Sequence, residues 1–295
     1  MISFLKLIIL IIVYILLYLI PKKYKKKIKV CLCVIGKQEN RYINEFLNHY
    51  INLGYDHIYI YDNNDIDDNR IEDLINNKKY VTIIDYRDKN KNKKDNIQFE
   101  AYYNCYKKNN RKYDWLSFFD FDEFLEIIPK NQTIQQFLDN ERYKKCQNIK
   151  INWLLYSSDE ERLNYKNESL EKRFKKQMFN EGANINIKST IRGSLTKNFW
   201  SRWENSHSSI DTFKACSSSG KRVSGKTPYI NPPDYKYGFL KHYYSKSFEE
   251  YCLKLKRGWP DQTNQTLWIN HLFNESKFSK EKLKIIKKIW NITLK

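Results

Sequence analysis

Two aspartates separated by one residue, Asp120 and Asp122, directly follow the apolar run 115–119. In an extended chain their side chains point to the same side, while that of Phe121 points inward. Carboxylate oxygens bind Mg²⁺ or Mn²⁺, and such an ion neutralises a departing diphosphate as a Lewis acid. We therefore expect both aspartates to be metal ligands, with Asp120 also reaching a nucleotide ribose. A capping and turn cluster is the alternative.

Two histidines, His207 and His242, are candidates for a third metal ligand, because neutral imidazole also binds Mn²⁺. Structural hydrogen bonding is the alternative for either ring. Three basic residues, Lys246, Lys254 and Arg257, lie on or beside a late predicted helix. Arg257 and Lys246 have the charge needed to pair with phosphate oxygens. A solvated helix surface would explain them equally well.

Strands and helices alternate in the first half of the sequence. We predict strands at 30–35, 57–61, 80–85 and 115–119, and helices at 41–53, 70–77 and 97–109. This alternation indicates an α/β fold, with a mostly parallel mixed sheet flanked by helices. Ligands of such sheets sit beyond the carboxyl ends of the strands. Two of the strands end there in polar groups, Asp62-Asn63 and the Asp120–Glu123 cluster.

The second half is less regular. We predict a strand at 149–155, helices at 169–179 and 247–257, and a final basic helix at 277–289, with loops dominating 180–235. Residues 30–260 are interpreted as one domain, in which 30–125 bind a donor and 126–260 an acceptor. A basic stem, 22–29, precedes this domain, and a basic helical extension, 261–295, follows it.

Residues 2–20 are predominantly apolar and would span about 28 Å as a helix, close to one bilayer core. No small-residue cleavage site follows, so residues 1–21 are predicted to be an uncleaved membrane anchor of Golgi or endoplasmic-reticulum type, or of another membrane. Lysines after the segment favour a cytosolic domain. Five glycosylation sequons, at Asn131, Asn167, Asn264, Asn274 and Asn291, favour a lumenal one. The orientation stays open at this point.

The formal net charge of +19 favours an anionic partner: nucleic acid, acidic lipid or a phosphate-bearing substrate. Because no zinc-finger spacing or RNA-binding aromatic motif accompanies the charge, we expect no nucleic-acid partner. None of the six cysteines has metal-site spacing. Cys31 and Cys33 are interpreted as small core residues, and a disulfide among the other cysteines is possible.

A series of short motifs occurs in a fixed order along residues 30–260. The positions are 37–40, Glu45, His49, Gly54, 59–64, Gln98, Cys105, Trp115, 120–125, Asn152, Trp153, 171–174, Lys188, 242–250 and 256–258. Together they resemble glycosyltransferase family 92 and its family 2-like relatives. The resemblance implies a GT-A fold, a Mn²⁺- or Mg²⁺-dependent nucleotide-sugar donor, most simply a UDP-sugar, and inverting transfer to a glycan or glycoconjugate.

The resemblance also implies roles for individual residues. Asp62 would lie at the nucleotide base or ribose, while Asp120 and Asp122 would serve ribose, metal and diphosphate. The donor-binding set it suggests is Lys37, Glu39, Asp62, Asn63, Asp120, Lys246 and Arg257.

An inverting transfer needs a base that takes the proton from the acceptor hydroxyl. Asp159, just after the predicted strand 149–155, is the first candidate and Glu160 the second; solvated loop acids are the alternative. Two further interpretations of the whole chain are a basic module that binds membrane or nucleic acid, and an inactive transferase. A haloacid-type phosphatase is disfavoured because Glu123-Phe124 follows the second aspartate.

Overall fold

The computed structural model describes residues 27–87, 97–158, 161–195, 214–225, 227–258 and 278–291. Its first half is a run of parallel strands with helices between them. The strands are β1 (Val30–Gly36), β2 (His57–Asp62), β3 (Val81–Asp85) and β4 (Trp115–Phe118). The helices are α1 (Ile43–Asn52), α2 (Ile71–Leu74) and α3 (Ile97–Asn109), and a 3₁₀ turn, Asn40–Tyr42, precedes α1.

Alternating residues of β1 pack against different helices. Val30, Leu32 and Val34 belong to the larger core cluster, which contains the buried residues of α1. Cys31 and Cys33 belong to a second cluster, which contains the buried residues of α3. Because side chains alternate between the faces of a strand, α1 and α3 cover opposite faces of the sheet. The predicted core role of Cys31 and Cys33 is confirmed.

The second half adds strands that run in both directions. They are β5 (Glu123–Ile127), β6 (Asn148–Ser157), β7 (Lys176–Gln177), β8 (Ile187–Arg192), β9 (Ala215–Cys216) and β10 (Gly238–His242). The helices are α4 (Ile134–Leu138), α5 (Leu170–Arg173), α6 (Phe248–Arg257) and α7 (Lys280–Trp290), with 3₁₀ turns at Glu141–Tyr143 and Gly182–Ile185.

The strand order is β3-β2-β1-β4-β8-β6-β10-β5, and β7 and β9 pair with β6. The β8 strand is antiparallel to both neighbours, and β5 is antiparallel to β10. Since β10 is parallel to β6, the main strands β1, β4, β6 and β10 all point the same way. Their carboxyl ends therefore lie on the same side of the sheet. The predicted α/β class with a mixed sheet and flanking helices is confirmed.

One prediction about the second half is wrong, and one strand was not predicted. The helix expected at 169–179 ends at Arg173, because Phe174 leaves the helical conformation (φ −126°, ψ 88°) and Lys176–Gln177 pairs with the end of β6. The stretch 180–235 is loop-rich in its described part, as expected, but it also contains the strand β8, which the sequence did not predict. Ladder hydrogen bonds to β4 and β6 outweigh the weak local preference of Ile187–Arg192.

A buried ion pair fixes the start of α6. Ser247 and Glu250 form a capping box at its first turn. The Glu250 carboxylate also accepts from Arg173 (Nη2–Oε2 2.9 Å) and from the Tyr42 hydroxyl. Arg173 and Glu250 are almost completely buried. This contact joins α5, α6 and the turn before α1, and so holds α6 in place against the first half of the chain.

Cys146 and Cys216 form a disulfide whose Cα atoms are 5.9 Å apart, and the other four cysteines are free and buried. The possibility of a disulfide is thus confirmed. Among the described residues, no helix combines the length and the apolar character that crossing a bilayer requires. The expected anchor, residues 1–21, and the stem up to residue 26 lie outside the described residues.

Replacement of Arg173 by Met should lower the free energy of unfolding by about 3–5 kcal/mol, because the Glu250 carboxylate then stays buried without its cation. Urea denaturation of the two proteins measures the difference. The matched control is Lys172→Met on the exposed side of α5, for which a change within about 0.5 kcal/mol is expected. Equal stability of the two variants would show that the pair does not anchor α6.

Candidate active site

The turn between β4 and β5 carries both candidate aspartates. The Glu123 amide donates to the Asp120 carbonyl (3.1 Å), and the Tyr243 amide donates to the Asp122 carbonyl (2.9 Å). Phe121 packs inward against Phe46, with ring centroids 4.8 Å apart, as predicted. A Cβ on Gly36 would lie 2.3 Å from the Phe121 ring, so only glycine allows this approach. The turn is thereby held at the carboxyl ends of β1, β4 and β10.

Asp120 is held by side chains from two other elements. Its Oδ1 accepts from Gln98 Nε2 (2.7 Å) and from the Tyr102 hydroxyl (3.0 Å), both on α3. Its Oδ2 lies 2.7 Å from the ammonium of Lys188 on β8. The Asp120 side chain keeps 31% of its surface exposed. Three donors therefore fix the carboxylate, and one side of it still faces outward.

Lys188 is the cation at the centre of this group. Its side chain is buried, and its ammonium lies 3.9 Å from Glu123 Oε1 in addition to its contact with Asp120. Burial would lower the pKa of the Lys188 ammonium, but Asp120 and Glu123 outweigh burial and raise it. Burial raises the pKa of the Glu123 carboxyl well above its usual range. Within the described part of the chain, Glu123 Oε1 has no hydrogen-bond partner. Lys188 thus lies between the Asp120 carboxylate and the Glu123 carboxyl, whose protonated form is favoured by burial.

Replacement of Lys188 by Met should destabilise the fold by about 3–5 kcal/mol at pH 8, because Asp120 and Glu123 lose their shared cation. Because the Lys188 ammonium opposes the effect of burial on Glu123, its loss raises the folded-state pKa of the Glu123 carboxyl still further above the unfolded value. Stability is then lost as pH rises from the unfolded pKa toward the folded one. The deficit relative to the original protein should therefore be smaller at pH 5 than at pH 8. Urea denaturation at both pH values measures it, with exposed Lys175→Met as control. An equal deficit at both values would contradict the role of Lys188.

Asp122 is almost completely buried and faces a second set of basic groups. Its Oδ2 lies 2.8 Å from Lys254 Nζ on α6 and 4.0 Å from Lys246 Nζ, and its Oδ1 lies 3.6 Å from His242 Nε2. Burial alone would raise the pKa of the Asp122 carboxyl, but these groups outweigh burial and hold it well below its usual range. Asp122 is therefore a buried carboxylate that stays ionised.

His242 ends β10, and its ring packs on Trp153 with centroids 4.3 Å apart. Burial lowers the pKa of the imidazole despite the neighbouring Asp122, so the ring is neutral near pH 7. Its Nδ1 is buried and has no hydrogen-bond partner among the residues that the structure describes. The charge that balances Asp122 therefore comes from Lys254 and Lys246, and His242 keeps a lone pair.

A third carboxylate, Glu39, sits beside these lysines. It lies 3.1 Å from Lys246 Nζ and 2.7 Å from Arg257 Nη2, and the two cations hold its pKa down although burial would raise it. Arg257 also donates to the carbonyl of Lys37, whose own ammonium pairs with Asp65 at 2.7 Å. Lys246 adopts a left-handed backbone conformation (φ 54°), a strain that marks a sharply turned connection before α6. The structure thus brings Lys37, Glu39, Lys246 and Arg257 together.

Asp62 has a structural role at the end of β2. Its Oδ1 accepts from the Asn64 amide (3.0 Å) and its Oδ2 from the Ile71 amide at the start of α2 (2.9 Å). Asn64 in turn accepts from the Gln38 amide (2.7 Å). Asn63 next to it donates its amide to the Gly36 carbonyl (2.9 Å). Asp62 therefore holds the β2 and β1 loops together at the edge where a nucleotide was expected.

Three predicted site residues, Asp159, Glu160 and His207, lie outside the described residues. Asp159 follows β6 by two residues in the sequence. Within the described ranges, no group of three or more His, Cys, Asp and Glu side chains is arranged to hold a metal ion. The sequence motifs included Gln98 and Lys188 without giving them a role, and Tyr102 was missed. Their common feature is a buried polar group in a strand or helix, and burial is set by the tertiary fold.

The model of glycosyltransferase family 92 matches residues 26–276, and the chain belongs to that family. It is therefore a glycosyltransferase. Comparison with curated proteins found no match.

Proposed function

We propose that the protein transfers a sugar from a nucleoside-diphosphate sugar, most simply a UDP-sugar, to a hydroxyl of a glycan or glycoconjugate, with inversion and with a divalent cation bound at Asp122. The observation that carries the proposal is the ionised, buried Asp122, which faces two ammonium groups and one neutral imidazole. A site with both anionic and cationic groups suits a metal–diphosphate pair. The proposal includes a GT-A fold, supported by the parallel β3-β2-β1-β4 order and the carboxylates beyond β4.

Asp122 and His242 fit a divalent cation as two of its ligands. Asp122 is ionised, the His242 ring is neutral, and its Nε2 lies 3.6 Å from Asp122 Oδ1. Ligands about 2.1 Å from an octahedral ion lie about 3 Å from each other, so little movement is needed. Two protein ligands suffice where substrate phosphates supply others, as is usual for Mg²⁺. Asp120, already held by Lys188, Gln98 and Tyr102, is better placed to accept from a ribose hydroxyl.

When bound, the cation would stabilise the negative charge that develops on the leaving diphosphate. The chain's own residues bind and orient the donor. With a cation held at Asp122, Lys254 and Lys246 would be available to pair with diphosphate oxygens. Arg257, fixed by Glu39 and by the Lys37 carbonyl, extends the same basic surface. Charge-assisted contacts of this kind hold the reacting bond in one orientation.

Asp159 remains the proposed base, with Glu160 as the second candidate. The sequence places both after β6, whose register sets Leu155 opposite His242 on β10. A base in this segment would take the proton of the acceptor hydroxyl as that oxygen attacks the anomeric carbon. In the same proposal, residues 126–260 bind the acceptor.

A donor screen tests the function itself. The purified chain is incubated with Mn²⁺ and each common UDP- or GDP-sugar, and release of the nucleoside diphosphate is measured. We expect release from at least one UDP-sugar, and loss of release when EDTA removes the metal. Release that persists unchanged in EDTA would refute the metal dependence, and no release from any donor would favour an inactive transferase.

Asp122→Asn should reduce metal-dependent turnover by about 100-fold or more, because the neutral amide no longer holds the cation at the diphosphate. Circular dichroism should show an unchanged fold. The matched control, Asp67→Asn, changes an exposed aspartate and should leave turnover unaffected. Activity retained in the Asp122→Asn variant would exclude Asp122 as the metal ligand.

Lys254→Met should change the affinities for Mn²⁺ and for UDP in opposite directions. Mn²⁺ alone should bind more tightly, because the ammonium no longer competes for Asp122, while UDP in the presence of Mn²⁺ should bind about 10-fold more weakly. Calorimetry measures both affinities. The control is Lys256→Met on the same helix, whose ammonium donates to the Ile289 carbonyl. Weakening of both ligands, or of neither, would contradict the exchange of Lys254 between Asp122 and diphosphate.

Asp159→Asn should slow transfer by about 100-fold or more while donor affinity stays the same, because only deprotonation of the acceptor is lost. Single-turnover transfer and UDP-sugar binding separate the two effects, and Glu160→Gln serves as the matched comparison. An unchanged transfer rate in Asp159→Asn would remove this residue from the mechanism.

A further inference from the structure

We propose that the domain containing Cys146 and Cys216 lies in an oxidising compartment of the secretory pathway and carries N-linked glycans at Asn131 and Asn167. This inference is independent of the proposed donor and metal. It rests on the disulfide, on the state of the other cysteines and on the position of two sequons in the fold.

The disulfide joins two strands that already lie side by side. Cys216 is in β9, opposite Ile149 of β6, and Cys146 lies just before β6 begins. The bridge spans 70 residues of sequence, and both cysteines are buried. Such bonds persist in oxidising compartments and are rare where glutathione and thioredoxin keep thiols reduced. A buried bridge at a strand junction is thus a property of a secreted or lumenal domain.

Forming this bond removes two protons and two electrons from the paired thiols. The acceptor is a protein disulfide of the compartment, which is reduced to two thiols as the Cys146–Cys216 bond forms. The other four cysteines, Cys31, Cys33, Cys105 and Cys252, are all buried. Burial raises the pKa of Cys31 and Cys33 well above the usual range, so the reactive thiolate is suppressed. With no exposed free thiol among its six cysteines, the chain is suited to an oxidising environment.

Two sequons lie where a glycan would not disturb the fold. Asn131 is exposed in the turn before α4, in a left-handed conformation (φ 73°), and Thr133 two residues later caps α4. Asn167 is exposed before α5, and Ser169 of the same sequon caps that helix. Exposed turns with this sequence accept a bulky solvated sugar without loss of packing.

The glycan on each asparagine would be transferred from an oligosaccharide linked to a lipid through a diphosphate. A bond forms between the side-chain amide nitrogen and the sugar carbon, the bond from that carbon to the diphosphate breaks, one amide proton leaves, and the lipid diphosphate is released. Because this donor is used in the lumen, glycosylation reports orientation directly. A glycan at either asparagine would exclude the cytosolic orientation that the lysines at 22–29 favour, because those lysines act only as a statistical bias on insertion.

The test uses the full chain produced in eukaryotic cells. Gel mobility before and after treatment with peptide N-glycosidase F is compared for the original chain, Asn131→Gln, Asn167→Gln and the control Asn76→Gln, an exposed asparagine outside any sequon. Each sequon variant should lose one glycan step and the control none. In parallel, denatured protein is labelled with a maleimide before and after reduction. We expect four thiols before reduction and six after it.

A glycan at either asparagine together with two thiols released only on reduction supports the proposal. Absence of glycan from both asparagines, or six thiols that react without reduction, overturns it. Neither readout depends on sugar transfer by the protein, so an inactive enzyme would leave the outcome interpretable.

Discussion

Burial of carboxylates next to ammonium groups is the interaction on which this site depends. An ionised carboxylate is costly to bury unless a cation and hydrogen bonds compensate it. At the β4–β5 turn this compensation comes from Lys188 beside Asp120 and from Lys254 beside Asp122. The two lysines lie on separate elements of the second half, β8 and α6. The site therefore forms only when β8 and α6 have both docked on the β4–β5 turn.

Because the site needs both β8 and α6 in place, contacts far from the two aspartates also determine its geometry. The Arg173–Glu250 pair fixes the start of α6, and the same helix carries Lys254 and Arg257 one to two turns later. The close approach of Phe121 to Gly36 sets the β4–β5 turn, and the flanking aspartates lie against Lys188 and Lys254. Negative and positive side chains alternate along the series Asp122, Lys246, Glu39 and Arg257. Each charge is therefore paired with an opposite one in the free protein, and the site still offers both carboxylates to a cation and basic groups to an anion.

The sequence predicts the first half of this structure well, because its elements are defined locally. Apolar runs give β1, β2 and β4, and helical spacing with a following glycine or polar turn gives α1 and α3. It fails for β8 and for the helix expected at 169–179, since pairing with β6 decides both segments and no local pattern reveals that partner. The aspartates could be found from their position after a strand. Their compensating lysines could not be assigned a role, because contacts between residues 68 and 132 positions apart are set by the tertiary fold.

The most direct test of the central claim is an anomalous diffraction map of crystals grown with Mn²⁺ and UDP. The account predicts a manganese peak between the Asp122 carboxylate and His242 Nε2, with Lys254 moved from Asp122 to a phosphate oxygen and Lys188 still on Asp120. A manganese peak away from Asp122, with Lys254 still paired to that carboxylate while UDP is bound, would contradict it.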